Sequence, residues 1–284
     1  MKVCNPFLLG LLFVAAYGPI AAPAQTEPGV QSKYLQVIVE YTKPDKGGLT
    51  HDKTETALAE AMRRAKFPIR YTGYTAMTGK PRSIYISRFD SFEDLQKAFG
   101  AVASPEIDRL TYVDGQNLED SKSLIFKSLP DLSYHSISPG PKQRVMEANV
   151  FLVKPGHAKD FEELVKRVKA IDDKIGSSSH WGAYRILYGE AAGSYALLTS
   201  STTTADIDTR LGEDPKFQAA VGEEENKKLD ELRAASIESS HREMYVANPA
   251  QSYVPDDWTQ ADPFWKLKGA GAAAPKPAAA EKKP

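Results

Sequence analysis

Tyr74-Thr-Ala-Met-Thr-Gly79 returns later in the chain as Tyr184-Arg-Ile-Leu-Tyr-Gly189. The same offset of about 110 residues carries Tyr85 onto Tyr195, Ser104-Pro105 onto Asp214-Pro215 and Pro139 onto Pro249. One offset holding across separated landmarks is the signature of internal duplication, which sets the architecture before any side-chain chemistry is considered. Two repeats are expected, over residues 33–139 and 144–250.

Both repeats read in one order. Leu35-Gln-Val-Ile-Val-Glu-Tyr41 is a strand by its β-branched content, stopped by Lys43-Pro44-Asp45. From Thr54 to Lys66, Leu58, Ala61, Met62 and Ala65 fall at the spacing of one buried helix face. Ile69 to Met77 and Ser83 to Phe89 make a hairpin, and Ser91 caps a helix from Phe92 to Phe99 with Glu93 and Asp94 in its first turn. A helical stretch from Leu118 to Phe126 and a strand from Leu132 to Ile137 close the unit. The second repeat follows with a strand (147–153), a helix (158–175), a hairpin (181–187 and 194–199), helices near 204–211 and 223–236, and a strand (242–247).

The termini predict the compartment. Lys2, the apolar run Phe7 to Ala16 and Ala22-Pro23-Ala24 read as a signal peptide over residues 1–24, placing the mature protein in the periplasm or medium. The run is far short of the roughly 20 residues a spanning helix needs, so no membrane span is expected in the mature chain. Cys4, the only cysteine, precedes that run, which excludes disulfides and thiol nucleophiles from the mature protein. Residues 269–284, rich in Ala, Pro and Lys, lack large apolar side chains and read as a disordered tail. The formal net charge of -1 offers no basic excess for nucleic acid.

Strand, helix, strand, strand, helix, strand is the ferredoxin-like βαββαβ order. With the duplication, and with Lys154-Pro155-Gly156-His157 leading from a strand into an amphipathic helix, the chain resembles the dimeric α+β barrel superfamily, in particular its monooxygenase-type and NIPSNAP-like members. The resemblance implies an α+β fold of two tandem ferredoxin-like repeats packed as an intrachain barrel, and hence a monomer. It leaves the chemistry open, because the superfamily hosts cofactor-free oxygenases, haem enzymes, isomerases and ligand-binding proteins.

Strand alternation supplies candidate site residues. Val37, Val39 and Tyr41 correspond to Ala148, Val150 and Leu152, an apolar set expected to face the helices. Gln36, Ile38 and Glu40, with Glu147, Asn149 and Phe151, then point between the sheets, where they line either a ligand cavity or a wet barrel mouth. His180 and Trp181 open the second hairpin after Gly176-Ser-Ser-Ser179, with Arg185 on the same strand. In the oxygenase branch an aromatic ring, a histidine and an amide hold a phenolic substrate, roles that Trp181, His180 and Asn149 match. The candidate ligand-binding set is therefore Gln36, Glu40, Glu147, Asn149, His180, Trp181 and Arg185, with no catalytic residue named.

His51, His135, His157, His180 and His241 show no HxH, HxxxH or HExxH spacing, so neither a metal site nor an axial haem ligand is marked out and no cofactor is expected. Nucleophile-elbow, phosphate-loop and dinucleotide signatures are absent. The expected function is small-molecule binding or a structural role in the bacterial envelope. The alternative is a cofactor-free oxygenase of aromatic or quinol substrates.

Overall fold

A computed structural model describes residues 32–100, 104–136 and 140–266. The expected signal peptide and tail, and the residues Ile137 to Pro139 that end the first repeat, lie outside the described residues. The first repeat comprises β1 (Tyr34–Thr42), α1 (Leu49–Arg64), β2 (Tyr71–Ala76), β3 (Arg82–Phe89), α2 (Phe92–Gly100), α3 (Pro105–Gly115) and β4 (Leu118–Ser128). The second comprises β5 (Val145–Val153), α4 (Ala158–Ile175), β6 (Gly182–Tyr188), β7 (Ser194–Ser201), α5 (Ala205–Leu211), α6 (Asp214–Ser236) and β8 (Ile237–Ala247), and α7 (Asp256–Ala261) follows it. The eight strands close into one barrel in the order β1-β3-β2-β8-β5-β7-β6-β4. The edge strands join the repeats antiparallel, β2 to β8 at Tyr74↔Ala247 and β4 to β6 at Phe126↔Ile186. The chain thus has two tandem ferredoxin-like repeats packed as an intrachain α+β barrel.

Two readings are corrected. Leu118 to Phe126 is strand β4, paired with β1 and β6, and the helix before it is α3. Asp, Ser and Lys along the exposed first half of β4 hid the alternation, which is plain only at the buried Leu124, Phe126 and Ser128. Leu132 to Ile137 is no strand as far as it is described: Pro130–Leu132 is a 3-10 turn and Tyr134 forms a lone bridge to Trp181. Its counterpart is the 3-10 turn Pro249–Gln251 followed by the Tyr253 bridge to Tyr71, so Pro130, and not Pro139, matches Pro249. The longer α6, bent at Gly222, accounts for the drift in offset between β3 and β4 and their counterparts.

The face assignment is also reversed. Leu35, Val37, Ile84, Ile86, Leu124, Phe126, Met146, Ala148, Ile186 and Tyr245 form one apolar cluster inside the barrel, with Val39 and Val150 packed against it. The polar strand set points outward, beneath the helices. A closed eight-stranded barrel is narrow enough for side chains to fill it, which selects the apolar set for the inside. The segment after β8 plugs one end, where Trp265 is buried and its Nε1 donates to the Pro141 carbonyl at 2.8 Å.

Candidate functional site

Outward-facing strand residues meet the helices in a cleft of about 530 Å³ in the second repeat. Its floor carries Glu147, Asn149 and Phe151 of β5 and Leu197 and Thr199 of β7, and α4, α5 and α6 wall it with Phe161, Leu164, Ile207 and Phe217. Four of the seven candidates, Glu147, Asn149, His180 and Trp181, line this one space. They meet between sheet and helices, not between the sheets. Gln36 faces outward on the first repeat, where its Nε2 donates to Ser123 Oγ at 3.4 Å, and Arg185 is exposed on β6. Neither lines the cleft.

Arg210, presented by the last turn of α5, forms an ion pair with Glu147 and donates to Ser201 Oγ at 3.2 Å. Glu147 is buried, and its Oε2 is the atom that meets the Arg210 guanidinium. Burial and the neighbouring Arg242 lower the Arg210 pKa, opposed by Glu213. Arg242 Nε donates to Asn149 Oδ1 at 2.5 Å. Trp181 is buried, with Nε1 donating to the Leu132 carbonyl at 2.8 Å and its ring 5.0 Å from Tyr134. Burial pushes the Asp172 carboxyl up to about 6, with Glu213 and Asp173 adding to the rise and Ser177 opposing it.

Haem, which the resemblance seen in the sequence leaves open, does not fit. His180 is the histidine that lines the cleft, and its Nδ1 and Nε2 lie 3.2 and 2.8 Å from the Ser178 and Ser200 carbonyls. Both nitrogens are engaged, and no axial ligand faces the space among the described residues.

A second polar grouping lies at the corresponding interface of the first repeat. Glu40 of β1, His51 and Glu55 of α1 and Asp114 of α3 each bring a ligand-capable atom to within 4.8 Å of one another. His51 Nε2 is 3.2 Å from Glu40 Oε2 and 3.5 Å from Asp114 Oδ1. Burial opposes the imidazolium, but Asp114 and Glu40 outweigh it and lift the His51 pKa to about 9. Burial raises Glu40 and, more strongly, Glu55, whose neighbours Glu40 and Asp114 push the same way. Of this grouping only Glu40 was a candidate. His51 was missed because α1 begins at Leu49, not Thr54, and the buried series His51, Glu55, Ala59 is the helical spacing that could have found it.

No protein-family model matches the chain, and no curated protein matches it significantly. Solved structures do resemble it. An anthrone oxidase-like protein is 14% identical over 79% of this chain and 95% of its own, with a TM-score of 0.50. A candidate monooxygenase from Fusobacterium nucleatum is 11% identical over 75% and 91%, also at 0.50. A chlorite dismutase variant from Candidatus Nitrospira defluvii is 7% identical over 80% and 96%, again at 0.50. All three share the arrangement of an α+β barrel of ferredoxin-like repeats. At these identities the likeness is one of fold.

Proposed function

We propose that the protein is exported, acts as a monomer and binds a small aromatic molecule bearing a hydroxyl group in the cleft of the second repeat. The observation that carries this reading is the cleft of about 530 Å³ itself, in which the Glu147–Arg210 ion pair lies beside aromatic and aliphatic side chains. Phe151, Phe161, Leu197 and Phe217 offer aromatic and aliphatic surface to a ring, and the Glu147 carboxylate, which keeps lone pairs beyond the one that meets Arg210, would accept from its hydroxyl. Calorimetric titration with 1-naphthol, and with naphthalene as the hydroxyl-free control, tests it. Wild-type protein should favour 1-naphthol by about tenfold or more, the worth of a hydrogen bond to a charged group. Glu147→Gln should erase most of that preference and Leu197→Trp should block both compounds. Equal affinity for the two, or binding indifferent to Leu197→Trp, sinks the reading. N-terminal sequencing of extracytoplasmic protein checks export, with Gln25 expected as first residue.

A second reading, oxidation of an aromatic substrate by molecular oxygen, draws support from the anthrone oxidase-like fold neighbour and from Asp172. A carboxyl lifted to about 6 inside the cleft is placed near neutrality, where a general base works best. Oxygen consumption with anthrone, lost in Asp172→Asn while naphthol binding persists, is the result this reading requires. No consumption by wild type leaves binding alone.

A further inference from the structure

We propose that Glu40, His51, Glu55 and Asp114 bind a divalent first-row transition cation, such as Mn2+, Fe2+ or Zn2+, between the sheet and helices of the first repeat. This site is separate from the cleft and does not depend on what the cleft binds. Three carboxylates and one imidazole converge within 4.8 Å, and His51, Glu55 and Asp114 are buried. A single imidazolium cannot neutralise three carboxylates, so the grouping otherwise retains buried negative charge or trapped protons, either of which is costly. A dication removes that cost. Mixed oxygen and imidazole donors suit Mn2+, Fe2+ and Zn2+, whereas Mg2+ and Ca2+ favour oxygen alone and Cu+ favours sulfur.

Two further observations are independent of the acidic residues. Tyr85 is 6% exposed and its hydroxyl reaches Glu40 and Glu55 without the alignment of a full hydrogen bond, and the hydroxyl of the adjoining Tyr71 has no hydrogen-bond partner. The two rings meet edge-on at 5.8 Å on the face of the sheet that carries Glu40. A water on the cation would give these hydroxyls a partner. The second repeat also shows that the fold does not need polar groups here. The strand registers place Phe151 where Glu40 stands and Leu197, not the Tyr195 that a constant offset would give, where Tyr85 stands. Phe151 packs on Phe161 at 5.2 Å where Glu40 meets His51, and Phe161 shares an apolar cluster with Val165 and Trp181.

Outer partners hold Asp114 and His51, as metal ligands require. Thr54 Oγ1 donates to Asp114 and receives from Asn117 Nδ2 at 3.1 Å. Behind His51, Gln251 Nε2 lies 3.3 Å from Nδ1 and donates to Asp52 at 2.9 Å. Turning that amide over would bring Oε1, which has no partner, to an Nδ1 proton and leave Nε2 as the ligand, in exchange for the Asp52 bond.

Co2+ added to chelator-treated full-length protein is the probe. The expected result is one Co2+ per chain, visible d–d bands that Zn2+ displaces, and a paramagnetically shifted exchangeable imidazole proton. His51→Gln and Asp114→Asn should weaken binding by about a hundredfold or more, since even outer partners cost 10–100-fold. The triple variant Glu40→Phe, His51→Phe, Glu55→Val copies the second repeat and should fold without binding. Wild-type protein that takes up no stoichiometric Co2+, lacks the imidazole signal, or keeps its bands in folded His51→Gln overturns the proposal. The wild-type readouts decide it even where a variant fails to fold.

Discussion

The two repeats hang the same elements on the same barrel, yet beneath their helices they are built from opposite materials. Under α1 and α3 the first repeat gathers Glu40, His51, Glu55, Tyr71, Tyr85 and Asp114, whereas under α4 the second packs Phe151, Phe161, Val165, Trp181 and Leu197. Backbone detail nevertheless matches closely. Gly73 N donates to Ser252 Oγ at 2.9 Å as Ala183 N does to Ser133 Oγ, also at 2.9 Å. The scaffold is indifferent to what fills the space between sheet and helix, so a polar filling there reflects use and not construction. The second repeat uses its space differently, by leaving it partly open as the cleft.

The strongest challenge to this comparison comes from the apolar side. Phe161→Ala should cost about 3–5 kcal/mol, because it removes a buried ring and leaves a cavity. The triple variant of the first repeat should change stability by far less, since replacing a buried ionic group by packed apolar residues is often neutral or favourable. Urea denaturation midpoints of both proteins, measured without metal, decide it. A triple variant as unstable as Phe161→Ala would mean the polar cluster is part of the construction after all.

A smaller effect should come from Gly73. A Cβ at this position would meet the Gln251 carbonyl oxygen at 2.2 Å, although its counterpart in the second repeat is Ala183. Gly73→Ala should therefore cost about 1–3 kcal/mol, the range for overpacking, and Ala183→Gly about 1 kcal/mol or less. Thermal melts of the pair read the difference. Because Gln251 sits behind His51, Gly73→Ala should also disturb the first-repeat cluster and leave naphthol binding unchanged.

The smallest effect concerns pH. Asp172 has a folded-state pKa raised to about 6 from an ordinary 3.8, chiefly by burial. In that window the folded chain holds more protons than the unfolded one, so this group's contribution falls as pH rises from about 4 through 6. Asp172→Asn should accordingly leave stability near pH 4 little changed and raise it by about 1 kcal/mol at pH 7, a figure reduced for the solvent on one side of the carboxyl. Urea titrations at the two pH values show whether the gain is confined to the higher one.

The sequence made the duplication, the hairpins and most helices legible because each has a local signature: β-branched strands, glycine turns, Ser91 as a cap. The direction of the strand faces was not legible. Both faces of β1 and β5 are covered, one by the opposite strands of the barrel and one by helices, so alternation separates two sets without saying which is inside. That is why Glu147 and Asn149, which line one space with His180 and Trp181, were assigned to the wrong side of the sheet. The first-repeat cluster was hidden for another reason, since its members come from β1, α1 and α3 and no short spacing records their meeting. A trace was present in the aligned repeats, where the acidic Glu40 falls on the apolar Phe151.

Closure of the barrel through β2 and β8 also fixes when the protein can finish folding. β2 has β3 on one side, and its other edge waits for Val246 and Ala247, while His51 waits for Gln251. During synthesis the first repeat therefore stands with a bare strand edge, the template for wrong pairing, until almost the whole second repeat has emerged. At 5–20 residues per second that interval lasts about ten seconds or more, long enough for a holding chaperone to matter. A chain held unfolded until it is complete avoids this exposure altogether.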